Sequence, residues 1–343
     1  MSTMQLRPLG RTTMSISALG FGGTAIGNLY RAQTDQTALA AVDFAWEAGV
    51  RYFDTAPAYG FGLSEIRMGE ALASRPRGEL MLSTKVGRVL RPRHGGAASR
   101  HGMAFVNTPQ MEPHFDYSAA GIMRGFESSL RRLKLDYIDL LLLHDLAPHN
   151  HGSQDAYEEQ FRAFFERGGH DAMIGLRAQG RVRAIGVGVG AVPAAERLLL
   201  EGEFDALLLA GRYTLLEQDA LSSLLPLCER RGIGVIIGGP YNSGILASGA
   251  VEGAKYNYRA APPEVLDKVR RIERICRAYG VSTIAAALQF PLCHPAVASV
   301  IPGVATLEEM RAAIDAMAVP IPPALYADLK SQRLLAEHAP IAD

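Results

Sequence analysis

The run Ile138-Asp-Leu-Leu-Leu-Leu143, closed by His144, is short, almost wholly apolar and followed by a polar stretch. A strand with one solvated face alternates apolar and polar residues, whereas a parallel strand covered on both faces reads as a continuous apolar run. Val235-Ile-Ile237 has the same character. Outward from these two, short apolar runs recur at 18–22, 51–55, 80–85, 137–143, 182–187, 206–209, 233–237 and 298–301. Segments with helical periodicity separate them, at 35–48, 64–73, 118–133, 156–179, 194–201, 217–230, 263–279 with 283–290, and 307–317. Thr34 before Asp35 suits a helix N-cap, and Gly49 and Gly232 suit helix ends. Alternating strand–helix units predict an α/β fold, a (β/α)8 TIM barrel in one domain over residues 1–343. Periodicity alone leaves an open doubly wound sheet as the alternative.

Charge is balanced, with 35 Lys+Arg against 35 Asp+Glu in 343 residues. Nucleic acid and anionic membrane usually select a basic surface, so neither is expected as a partner. No uncharged apolar run approaches the roughly 18 residues a membrane helix needs. Residues 1–8 carry no apolar segment of the secretory kind. The three cysteines, Cys228, Cys276 and Cys293, are too sparse for a disulfide framework or a zinc site. A cytoplasmic protein without a structural metal is the expectation; composition says nothing of oligomeric state.

Three segments exceed ordinary loop length, and all three follow a predicted strand: 86–117, 144–155 and 238–263. The first is rich in Arg88, Arg91, Arg93, His94, Arg100 and His101; the third holds Asn242, Ser243, Tyr256, Asn257 and Tyr258. In a barrel they lie together at the C-terminal face, where such folds carry their sites. Residues 320–343 form a Pro-rich and partly helical tail, a candidate cover for a pocket. Two patterns mislead. Gly186-Val-Gly-Val-Gly-Ala191 matches a dinucleotide fingerprint, but it lies mid-chain and Pro193 follows at once. His144, His149 and His151 lack the spacing of a metal site.

Four predicted strand ends hold polar residues where a buried run would simply stop. Asp54 ends Tyr52-Phe53, and Tyr59 follows five residues later; Lys85 ends Met81-Leu-Ser-Thr84; His144 ends the leucine run. Strand ends converge on one rim of a barrel, so these four form a proton-transfer set there.

With these residues the sequence resembles the aldo-keto reductase superfamily. The matching stretches are Leu19-Gly-Phe-Gly-Gly23, Phe53-Asp-Thr-Ala-Pro-Ala-Tyr-Gly60, Ser64-Glu65, Leu82-Ser-Thr-Lys85, Ser129-Leu-Arg-Arg-Leu133, 136–144 and Val300-Ile-Pro-Gly303. Leu209-Ala-Gly-Arg-Tyr-Thr-Leu-Leu216, 238–246 and Ala254-Lys-Tyr-Asn-Tyr258 resemble the D-threo-aldose 1-dehydrogenase and L-fucose dehydrogenase group, which includes pyridoxal 4-dehydrogenase. The resemblance implies an NAD(P)-dependent oxidoreductase acting on a small polyol or aldehyde. Tyr59 would be the general acid/base, Lys85 would lower its pKa, Asp54 would hold Lys85 and His144 would orient the substrate oxygen. Oxidation of an aldose to its lactone is the leading reaction, with hydroxyl-binding residues expected among Arg88, His94, Asn257 and Tyr258. Pyridoxal oxidation, with stacking on Phe61, Tyr256 or Tyr258, and general aldehyde reduction are alternatives. A nucleotide-binding regulatory subunit is the non-enzymatic one.

The cofactor positions implied are Gly22, Gly23, Thr24 and Asp54 beside the cofactor and Tyr213 stacked on the nicotinamide. Gly239, Pro240, Asn242, Ser243 and Gly244 would wrap the pyrophosphate, with Gly303, Val304, Ala305 and Thr306 near the adenosine ribose. The usual Ser-Asn after strand five is Gly188-Val189 here, Gly190 stands where many sugar enzymes have Asn, and Ala210 replaces a common Gln. Ala305 stands where NADP-preferring members often place Arg, and Ala312-Ala313 replaces the usual Glu-Asn. Without that Arg a 2′-phosphate lacks its charge partner, so NAD is expected over NADP.

Overall fold

The computed structural model describes residues 4–93 and 104–341, so His94, Arg100 and His101 lie outside the described residues. Eight parallel strands form one sheet: β1 Phe21–Gly22, β2 Tyr52–Asp54, β3 Met81–Val86, β4 Ile138–His144, β5 Val182–Val189, β6 Ala206–Ala210, β7 Gly234–Gly238 and β8 Val297–Ile301. They pair in chain order, and bridges Leu19–Val300 and Gly22–Gly303 join first to last. The sheet therefore closes, and the (β/α)8 barrel replaces the open-sheet alternative.

Helices α1 Asp35–Glu47, α2 Leu63–Leu72, α3 Ala119–Leu133, α4 Gln154–Glu166, α5 Gly169–Ala178, α6 Val192–Glu201, α7 Leu224–Arg231, α8 Pro263–Ala278, α9 Thr283–Gln289 and α10 Leu307–Met317 connect the strands. The expected long helix 156–179 is two, because Gly168 takes φ +70° between α4 and α5 and ends the first. The helix expected from 217 begins at Leu224, after a short 3-10 turn at Asp219–Leu221. An N-terminal hairpin, Leu6–Pro8 with Ser15–Ser17, was not foreseen. Its Leu9, Met14 and Ile16 pack with Tyr52, Leu140, Leu142, Ala184, Leu208 and Ile236 to fill the barrel interior.

The other core lies between sheet and helices. The tail joins that outer layer: α11, Pro323–Ser331, buries Leu325, Tyr326 and Leu329, Tyr326 packs on Phe290, and Tyr279 donates to Asp328. Those contacts hold α11 against the flank of the barrel rather than over its mouth.

Candidate active site

Strand periodicity builds the site. Side chains of a strand alternate between faces. On β4, Leu140 and Leu142 point into the barrel interior, and two residues later so does His144. Tyr52 precedes Asp54 on β2 in the same way, and Ser83 precedes Lys85 on β3. A polar layer thus caps an apolar one. The Lys85 ammonium lies 2.7 and 2.8 Å from the two Asp54 carboxylate oxygens and 2.8 Å from the Thr55 carbonyl. Asp54 also accepts from the Ser83 hydroxyl at 2.6 Å.

Tyr59 lies on the turn after β2. Gly60 takes φ +62°, and a Cβ there would stand 2.3 Å from the Gly27 carbonyl oxygen; Gly27 in turn presses on the Tyr59 backbone. This crossing of two glycines fixes where Tyr59 leaves the chain. The Lys85 ammonium sits 4.7 Å from the Tyr59 ring centre, and the Tyr59 and His144 rings meet edge to face at 5.9 Å. The four residues expected to act together are therefore together, all buried or nearly so.

Their electrostatics follow from burial. Burial pushes the Tyr59 hydroxyl up; Lys85 pulls it down, with help from a hydrogen bond to Thr24, but the net displacement is upward. The expected lowering by Lys85 is real as a contribution and smaller than desolvation. Burial would lower the Lys85 ammonium, yet Asp54 and Tyr59 carry it above its ordinary value, so it stays charged. Burial drives His144 well below the usual imidazole range, against the opposing pull of Asp145. The ring is neutral at pH 7, and its buried Nδ1 has no hydrogen-bond partner.

Asp145 was not singled out in the sequence. It follows His144 directly, takes φ +54°, and its Oδ2 lies 3.5 Å from His144 Nε2 and 2.6 Å from the buried Arg88 guanidinium. Arg88 comes from the long segment after β3, which forms a hairpin of Arg88–Pro92 with Met111–Phe115 and places Arg88 over the Phe115 ring. His151 packs among Phe115, Tyr117 and Tyr157. Among the described residues no group of three His, Cys, Asp or Glu is placed to hold a metal. Nor, among them, is any helix long and apolar enough to cross a membrane.

The residues expected near a cofactor separate into two kinds. Gly22, Gly23 and Thr24 adjoin the tetrad, Gly23 N–H donating to the Asp54 carbonyl, and Gly303 and Val304 pair with Gly22. Gly239, Asn242, Ser243 and Gly244 all take positive φ in a tight double turn after β7, with Pro240 buried within it. Asn242 ties this turn to Thr214 and Gly211, and Ser243 accepts from Tyr258 N–H. Thr306 caps α10, while Ala305 N–H donates to the Glu309 carboxylate at 2.7 Å.

Tyr213 is the exception and a correction. Its ring has no exposure and packs against Phe290 and His294 in the outer layer, so no face is free for stacking at the mouth. Gly211 at φ +66° turns the chain after β6, and Arg212 takes the rim position instead, donating to the Gly190 carbonyl and to Asn257. Phe61 is likewise buried against Phe105. The GxGxxG look-alike is strand: a Cβ on Gly186 would strike the Ala206 carbonyl, and one on Gly188 would touch the Lys85 stem.

The Aldo/keto reductase family model matches residues 18–333. A D-threo-aldose 1-dehydrogenase of Pseudomonas sp is 39% identical over 327 residues, covering 94% of this chain and 95% of its own. A pyridoxal 4-dehydrogenase of Microbacterium luteolum is 37% identical over 336 residues, covering 96% and 97%. Among solved structures, an aldo-keto reductase of Bacillus halodurans in its holo form superposes with a TM-score of 0.74 at 26% identity, covering 98% of this chain and 99% of its own.

Proposed function

This chain belongs to the aldo/keto reductase family and is an NAD(P)-dependent oxidoreductase; from that premise we propose that it oxidises a small aldose of the L-fucose or D-threo type to its lactone, using NAD. The observation that carries the reading is the buried Asp54–Lys85–Tyr59–His144 cluster at the mouth of the barrel.

The rim fits a nicotinamide nucleotide. Cβ atoms built on Gly239, Gly244 and Gly303 meet nothing, so backbone lies open to close approach there. The left-handed residues at 242–244 make this a tight turn, closed by Asn242 N–H to the Gly239 carbonyl and Gly244 N–H to the Tyr241 carbonyl. Gly22, Gly23 and Thr24 would flank the cofactor, Gly239, Pro240, Asn242, Ser243 and Gly244 would wrap its pyrophosphate, and Gly303, Val304, Ala305 and Thr306 would border its ribose. When bound, the nicotinamide accepts hydride in oxidation and returns it in reduction. Glu309 holds Ala305 N–H and is itself paired with Arg31, which leaves carboxylate rather than free cation at that end. A ribose diol suits that neighbourhood better than a 2′-phosphate.

In oxidation Tyr59 takes the proton of the reacting hydroxyl. Lys85 favours the phenolate, and Asp54 keeps the ammonium in place. His144, neutral, hydrogen-bonds the reacting oxygen without adding a positive charge. In reduction the neutral Tyr59 hydroxyl gives the proton back.

Pyridoxal is the second reading. It is favoured by the exposed ring of Tyr258 beside the mouth and by the Microbacterium luteolum relative. The test is NADH formation with L-fucose, D-arabinose, L-galactose and pyridoxal, beside Tyr59→Phe. Turnover of the sugars, lost in the variant, supports the proposal. Pyridoxal alone moves the assignment, and nucleotide binding without any turnover favours a regulatory role.

A further inference from the structure

We infer that Asp145 is the specificity-determining residue of this site, its carboxylate receiving the substrate hydroxyl next to the reacting carbon. The inference rests on the aldose reading above. Three observations carry it. First, Asp145 follows the last residue of β4 in the left-handed region, φ +54°, where a side-chain-bearing residue is uncommon. In an extended continuation of β4 its side chain would leave the face that His144 occupies. The left-handed turn, held by Asp145 N–H to the Gly188 carbonyl and Ala147 N–H to the Asp145 carbonyl, brings the carboxylate back beside the His144 ring. Backbone strain of this kind persists where surrounding structure enforces it, and it gathers at sites.

Second, the carboxylate is held and charged. Arg88, itself buried, reaches in from the inserted hairpin to bond Oδ2 at 2.6 Å, and Asn150 donates to the Asp145 carbonyl. Third, the side chain is not closed off: 26% of it remains exposed. Oδ2 is 3.5 Å from His144 Nε2. Neighbouring oxygens of a sugar ring are separated by about a hydrogen-bond length. A substrate whose reacting oxygen rests on His144 therefore brings its adjacent hydroxyl to Asp145. The opposite wall supports this. Asn257 and Tyr258 form a two-residue hairpin turn with φ +48° and +63°, Asn257 held by Arg212 and Tyr258 N–H by Ser243. Such a turn favours glycine at its second position. Tyr258 takes that strained position instead and keeps its ring exposed. The mouth thus offers an acceptor on one side and an aromatic face on the other, the pairing suited to a ring with hydroxyls on its edge.

The experiment compares L-fucose with its 2-deoxy analogue on the wild-type enzyme and on Asp145→Asn, with NAD affinity and melting temperature measured for both. A charge-assisted hydrogen bond to a substrate hydroxyl is worth about 10- to 100-fold in discrimination. The wild type is expected to prefer L-fucose by that factor in kcat/KM, mainly through KM. In the variant the preference collapses to within about threefold, with the 2-deoxy sugar little changed. Equal losses on both sugars would mean that Asp145 acts only through His144 or the fold, and would overturn the inference. So would a wild type that does not distinguish the two. If Asp145→Asn fails to fold, Asp145→Glu takes its place, and a preference for L-fucose left unchanged in it would overturn the inference. A wild type that oxidises no aldose at all brings down the parent reading as well, an outcome distinct from the others.

Discussion

Replacing Lys85 with methionine isolates the electrostatic half of the chemistry. The ammonium sits 4.7 Å from the Tyr59 ring centre. At an effective dielectric of about 20, a charge at that distance stabilises the phenolate by roughly 3.5 kcal/mol, or about 2.6 pK units. Losing Lys85 removes that whole contribution, while the buried Asp54, no longer held down by the ammonium, takes up a proton more readily and gives part of it back, so the net change is about one to two units upward. The sign is fixed by the role of Tyr59. Oxidation needs the ionised hydroxyl, so kcat/KM rises with pH through the Tyr59 pKa. In K85M that rise moves to higher pH by one to two units, and at neutral pH oxidation drops by a corresponding 10- to 100-fold. Removing Lys85 also leaves Asp54 buried without its cation, which costs about 3–5 kcal/mol of stability unless the carboxyl protonates. The double variant D54N/K85M removes both charges and is expected to shift the profile less than K85M alone. The assay is NADH formation against pH at subsaturating sugar, which reports the free enzyme. A K85M enzyme that binds nucleotide yet keeps the wild-type pH profile would refute the reasoning.

Other outcomes follow from the same geometry. Ala305→Arg with Glu309→Gln should shift the ratio of NADP to NAD affinity at least tenfold toward NADP, read by titration of the reduced cofactors, because a guanidinium then meets the 2′-phosphate. Gly60→Ala should lower kcat by an order of magnitude or more and cost about 1–3 kcal/mol in a denaturant melt, since a Cβ there meets the Gly27 backbone and moves Tyr59. Asp139→Ala should cost about 3 kcal/mol in the same melt while leaving the pH profile unchanged. That carboxylate is buried at the opposite end of β4, where it accepts from Arg77, Arg183 and Leu82 N–H.

The strands and the tetrad at their ends were legible for one reason, while closure of the sheet into a barrel was not. Strand register is a period-two code, so an apolar run that ends in Asp, Lys or His announces both the strand and the residue at its rim. Asp54, Lys85 and His144 were visible in this way, and Tyr59 by its fixed offset from Asp54. Whatever depended on a single backbone torsion was not. Tyr213 matches a stacking aromatic in sequence, yet Gly211 turns the chain and sends the ring into the outer core. Asp145 looked like the first residue of a polar loop, because nothing in its neighbours announces a left-handed φ. The glycine-rich 186–191 segment was set aside as a fingerprint on its mid-chain position and Pro193. In the structure Gly186 serves strand-to-strand approach and Gly188 makes room for the Lys85 stem.

The distribution of those torsions carries an argument about where the fold concentrates its strain. Among the described residues, non-glycine positions with positive φ are Asn28, Tyr30, Phe61, Asn107, Lys134, Asp145, Asn242, Ser243, Asn257, Tyr258 and Arg333. All but Lys134 and Arg333 lie in segments that follow barrel strands, on the face that carries the tetrad. Glycines take such turns on both faces, Gly60, Gly87, Gly211 and Gly239 on this one and Gly49, Gly180 and Gly232 on the opposite one, at no steric cost. A fold under selection for stability alone has no reason to treat its two ends differently. Nine side chains retained at left-handed positions on the tetrad's face, against Lys134 on the other, are side chains whose placement matters more than the torsional energy they cost. The interior of the barrel supplies the complement. The hairpin residues Leu9, Met14 and Ile16 close the unstrained end with apolar packing, and that packing supports the polar layer above it.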